Sequence, residues 1–141
     1  FRVGETLFLG TNVYDGSPYE NMENDVFKLY AEIIELTEKP MVPDGELGAN
    51  LEGESVEFDE DKKGETSCRA ILDMGLLDID DEHIKLTHKG IEVVGASSDM
   101  IVVDLGENKQ NYKVGDLIEF NLDYMGTLRA LSSNYIEKRV E

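Results

Sequence analysis

The stretch Leu117-Ile118-Glu119-Phe120-Asn121-Leu122 puts Ile118, Phe120 and Leu122 on one face of an extended chain, with Glu119 and Asn121 on the other. That period of two is the signature of a strand with one buried face. The same reading extends upstream. Between Val26 and Leu36, Phe27, Leu29, Ala31 and Ile33 share a face, and Lys28, Tyr30 and Glu32 share the opposite one. Ile34 and Leu36 then switch sides, which is either a β-bulge or a strand becoming buried on both faces. Thr66–Met74, Ile84–Thr87, Ile91–Gly95 and Met100–Leu105 are further β-like runs, and Thr6–Gly10 is a short apolar run of the same length class. Turn-forming residues bound these runs, as in Asp15-Gly16 with Pro18 and in Ala96-Ser97-Ser98-Asp99. Residues 39–65 read as long loops. Only Tyr124–Leu131, with Leu128 and Leu131 three apart, suggests a helical turn or two, and Gly126 weakens it. About seven short strands and at most one short helix predict a mainly β domain, a Greek-key barrel or sandwich with long loops.

Composition narrows the function classes. The 141 residues carry 31 acidic and 13 basic side chains, a formal charge of −18. Duplex DNA and anionic membranes are bound by Lys and Arg that neutralise phosphate, so neither suits this surface. No apolar run approaches the ~20 residues a membrane span needs. The single cysteine, Cys68, rules out an internal disulfide and points to the cytoplasm. It reads as a free, buried thiol in mid-strand. The chain opens on Phe1 without a basic-then-apolar leader, which reads as a piece of a longer protein.

Metal chemistry finds little support. A calcium loop begun at Asp59 has Asp61 and Gly64 in place but ends on Ala70, and one begun at Asp78 ends on Lys89. Both lack the closing bidentate Glu, so these are read as solvated acidic loops. His83 and His88 would point to opposite faces of one strand, which argues against a shared zinc and for surface histidines. Ser97, Ser98 and Asp99 have no histidine near them in sequence and no nucleophile elbow. No metal ligands are assigned. On pattern alone the chain is an acidic β domain.

Five ordered segments resemble the C-terminal part of the alanine racemase-like, fold-type III family of pyridoxal-phosphate enzymes, closest to its ornithine racemase branch. They are Phe1–Gly10, Glu38–Glu46, Ile71–Asp78, Gly95-Ala96-Ser97-Ser98-Asp99-Met100, and Tyr112–Phe120 running into Leu122-Asp123-Tyr124. The resemblance implies that residues 1–12 are the late strand and exit of a TIM barrel, and residues 13–141 a C-terminal β domain. That domain packs over the active site of the partner subunit in a homodimer. A TIM barrel takes roughly 250 residues, so it cannot lie within this chain. The lysine that carries the cofactor belongs to that barrel, and this chain alone should be inactive.

The same resemblance implies roles for particular residues. Arg2 matches an arginine facing the pyridine nitrogen of pyridoxal 5'-phosphate; a guanidinium donates a hydrogen bond there but keeps its proton. This weakens the ring as an electron sink and suits direct proton exchange at Cα of an amino-acid substrate. Gly4 and Glu5 match positions whose backbone N–H groups contact the phosphate. Tyr124 matches a tyrosine that reaches the phosphate, the alternative being a packed core tyrosine. Ser98 and Asp99 match the segment lining the substrate side, the alternative being a polar turn between strands. The departure is Leu76, where alanine racemases place a catalytic tyrosine. Either Asp99 supplies the second base, which would need a carboxyl pKa raised by burial, or the enzyme does not use that pair. The charge suggests a basic substrate such as ornithine or lysine. A non-catalytic acidic β-barrel binding module is the alternative reading.

Overall fold

The computed structural model describes residues 4–45, 48 and 60–140. Six strands form one antiparallel sheet: β1 (Lys28–Pro40), β2 (Thr66–Leu72), β3 (Ile84–Leu86), β4 (Glu92–Ala96), β5 (Ile101–Asp104) and β6 (Leu117–Leu122). They lie in the order β3-β6-β1-β2-β5-β4. Helix α1 (Glu5–Leu9) precedes the sheet and helix α2 (Tyr124–Ser132) follows it.

The long strand β1 sets the shape. Its first half pairs with β6, from Lys28 opposite Asn121 to Glu32 opposite Leu117. Its second half pairs with β2, from Glu35 opposite Ile71 to Pro40 opposite Thr66. Between them the register shifts at Ile33/Glu35, so the change of face is a bulge. Ile34 stays exposed, and Leu36 turns in to pack against the core. At the pivot the Ile33 N–H donates to the Asp116 carbonyl (2.9 Å), and the Asp73 side chain accepts the Glu32 N–H (2.7 Å).

Phe120, Ile33, Leu72, Ile101 and Ile118 are all essentially inaccessible. A flat six-stranded sheet would set its edges about 24 Å apart. Yet Ile84 and Leu86 of edge strand β3 join the same apolar cluster as Val93 and Ala96 of edge strand β4. The sheet therefore coils on itself into a nearly closed barrel, and its inside is the core.

Two expectations are adjusted. Thr6–Gly10 is not a strand: Glu5–Leu9 makes one helical turn, closed by Gly10 in the left-handed region (φ 62°) with its N–H on the Thr6 carbonyl. Cys68, in β2, is half-buried rather than buried, and it is free. No helix among the described residues is long and apolar enough to cross a membrane.

Candidate functional site

Two segments that stand apart in sequence meet at one end of the barrel. After β2 the chain folds back on itself, with the Asp78 and Ile79 N–H groups donating to the Gly75 carbonyl (2.9 and 3.1 Å). Ile79, fully buried, anchors this turn in the core. The β4–β5 hairpin closes through the Ser97 N–H on the Met100 carbonyl (2.8 Å), with the Ser97 hydroxyl taking the Met100 N–H (3.2 Å). The two turns are then joined: Leu76 N–H donates to the Ser97 carbonyl (2.9 Å) and Leu77 N–H to the Ser98 carbonyl (3.0 Å). Gly75 makes this possible, because a Cβ there would overlap the Asp99 carbonyl carbon and the Met100 nitrogen.

Ser98 and Asp99 form the tip of that hairpin, and both are exposed. The Ser98 hydroxyl donates to Asp99 Oδ2 (2.7 Å). Leu77, 78% exposed, and Met100 flank them with apolar surface. A carboxylate held by a neighbouring hydroxyl can accept a proton or meet an ammonium group. The turn reading and the substrate-side reading are thus compatible: this is a polar hairpin tip whose carboxylate faces outward. Leu76, the position that the resemblance matches to a tyrosine, is tied by its backbone directly beside Ser97 and so lies next to the Ser98–Asp99 tip.

Tyr124 opens α2. Asp123 caps that helix, its Oδ1 accepting the Gly126 N–H (2.8 Å). Tyr124 is 41% exposed, so it is not a packed core tyrosine, and no hydrogen bond engages its hydroxyl among the described residues. Gly126, Thr127 and Ala130 bury one side of α2, while Met125, Leu128 and Leu131 leave an apolar stripe exposed. A cleft of about 340 Å³ separates the C-terminal end of α2, at Ser133 and Tyr135, from Leu77 and Asp78.

Gly4 caps the start of α1 in extended conformation, and nothing lies within 4 Å of where its Cβ would be. The Gly4 carbonyl accepts the Leu7 N–H (3.1 Å). Arg2 lies outside the described residues. Among those described, no hydrogen bond links α1 to Tyr124 or to the Ser98–Asp99 tip. No group of three or more His, Cys, Asp or Glu that could hold a metal occurs among them.

One feature was invisible in the sequence. His83, a partly exposed surface histidine, has its Nδ1 2.9 Å from Asp123 Oδ2. The Asp123-x-x-Gly126 cap carries a helix-start signal, but nothing in the chain points to a partner forty residues away.

The chain is 40% identical over 99% of its length to ornithine racemase from Acetoanaerobium sticklandii, of which it covers 38%. It is 36% identical, again over 99% of its length, to lysine racemase from Thermotoga maritima, of which it covers 38%. By sequence the chain corresponds to the C-terminal part of these racemases. It thus spans little more than a third of the curated relatives it matches. No family model matches the chain. Among solved structures, the alanine racemase from Acinetobacter baumannii aligns over 92% of this chain and 36% of its own, with 19% identity and a TM-score of 0.45.

Proposed function

We propose that this racemase-like C-terminal part belongs to a pyridoxal-phosphate-dependent enzyme that exchanges the Cα proton of a basic amino acid, ornithine or lysine. The observation that carries the reading is the match, over 99% of this chain and 38% of theirs, to two relatives named for those substrates. A net charge of −18 supports it, since a negative surface draws cations toward the site.

Backbone N–H groups at Gly4 and Glu5 and the Tyr124 phenol, whose hydroxyl makes no hydrogen bond among the described residues, are donors whose chemistry suits phosphate oxygens. Arg2 would serve the pyridine nitrogen. When bound, the cofactor supplies an electron sink that loosens the Cα proton. Asp99 holds or moves that proton at Oδ1, while the Ser98 hydroxyl occupies Oδ2 and fixes the carboxylate plane. Leu76 can move no proton, and its backbone keeps the tip in place.

The upstream part of the protein is a TIM barrel carrying the cofactor lysine. The enzyme is a cytoplasmic homodimer in which this domain covers the partner subunit's site. Initial rates of the full-length protein with ornithine, lysine and alanine test the reading. Ornithine or lysine should be preferred, and Asp99→Asn should lower kcat by about 10²–10⁴-fold. A preference for alanine, or full kcat in Asp99→Asn, would contradict it.

A further inference from the structure

We infer that His83 is a positioning residue for Tyr124, which deepens the reading just given in that it takes Tyr124 as the phosphate contact. Tyr124 immediately follows Asp123, and both Asp123 oxygens are committed. Oδ1 accepts the Gly126 N–H (2.8 Å) and Oδ2 faces His83 Nδ1 (2.9 Å). The Asp123 N–H in turn donates to the His83 carbonyl (3.3 Å). His83 therefore grips the cap by backbone and side chain together. Gly126 permits the approach, since a Cβ there would sit 2.5 Å from the His83 oxygen.

A second tether joins Asp80, which caps the short 3₁₀ turn Asp81–His83, to the helix one and a half turns on: Arg129 Nη1 lies 2.6 Å from Asp80 Oδ2. Two tethers fix both the tilt and the rotation of α2, and so the direction of a side chain on its first residue. The His83 and Asp123 side chains are 23% and 44% exposed. A pair so wet adds little to global stability, so its effect lies in orientation. Asp123 is acceptor-only when ionised, so Nδ1 carries the hydrogen.

The test is pyridoxal-phosphate titration of the full-length apo-protein, followed by absorbance, for the unsubstituted protein, His83→Ala, His83→Asn, Tyr124→Phe and the double variant His83→Ala/Tyr124→Phe. His83→Ala should weaken affinity on the order of tenfold, the worth of one oriented hydrogen bond. His83→Asn, whose amide nitrogen replaces Nδ1, should restore most of it. The double variant should bind no more weakly than Tyr124→Phe alone. An unchanged affinity in His83→Ala or Tyr124→Phe, or losses that add in the double variant, would overturn the inference while leaving the racemase reading intact. Failure of the unsubstituted protein to bind the cofactor would overturn both.

Discussion

Gly75 lies with its α-carbon against the peptide that joins Asp99 to Met100, and only a residue without a side chain fits there. This contact seats the Leu76 and Leu77 N–H groups on the Ser97 and Ser98 carbonyls and so fixes where the Asp99 carboxylate emerges. Gly75→Ala should push the hairpin away and cost about 1–3 kcal/mol in urea unfolding. Leu77→Ser, two residues on at an exposed site, should stay within ~0.5 kcal/mol of the parent. Equal midpoints for Gly75→Ala and the parent would refute the interlock.

Acid should act on the domain partly through Glu119. Burial pushes its carboxyl up, but the Tyr30 hydroxyl, the Lys28 ammonium and Thr87 outweigh that and hold it below the usual range. Tyr30 donates to Oε2 at 3.0 Å, and Lys28 lies 3.5 Å from Oε1. A lowered folded-state pKa gives stability that is full above the unfolded value of about 4.3 and drains away as pH falls through the folded one. Urea midpoints of Glu119→Gln should therefore fall below the parent's at pH 7 and converge with them near pH 3. A gap that widens with acid would contradict this assignment.

Cys68 should resist thiol reagents for a reason other than access. It borders a cleft of about 420 Å³, yet burial raises its pKa, and the Glu38 and Asp104 carboxylates push the same way. Since the thiolate is the reactive form, labelling at pH 8 should be slower in the folded domain than in denaturant. It should accelerate in the folded domain as pH approaches 10. Equal rates folded and unfolded at pH 8 would show that the thiolate is not suppressed.

Much of the barrel was legible because its signals are local. The alternation at Ile118, Phe120 and Leu122 and the change of face after Ile33 each report burial within a few residues. Thr6–Gly10 misled because a five-residue apolar run has no decisive period, and the left-handed Gly10 closes it as a helical turn. Strand order was not legible: β1 pairs with β6 across 85–93 residues and with β2 across 26–39, and pairing at that range leaves no local trace. The site divides in the same way. Ser98 and Asp99 could be read as a tip from their turn chemistry, but their dependence on Gly75 and the hold of His83 on Asp123 arise only from folding.

The proposed function has this domain completing a racemase whose cofactor lysine lies elsewhere. Chiral analysis of ornithine and lysine, incubated with pyridoxal phosphate and either this chain alone or the full-length protein, tests it most directly. The account predicts racemisation by the full-length protein and none above background by the isolated chain. Turnover by the isolated chain, or none by the full-length protein, would contradict it.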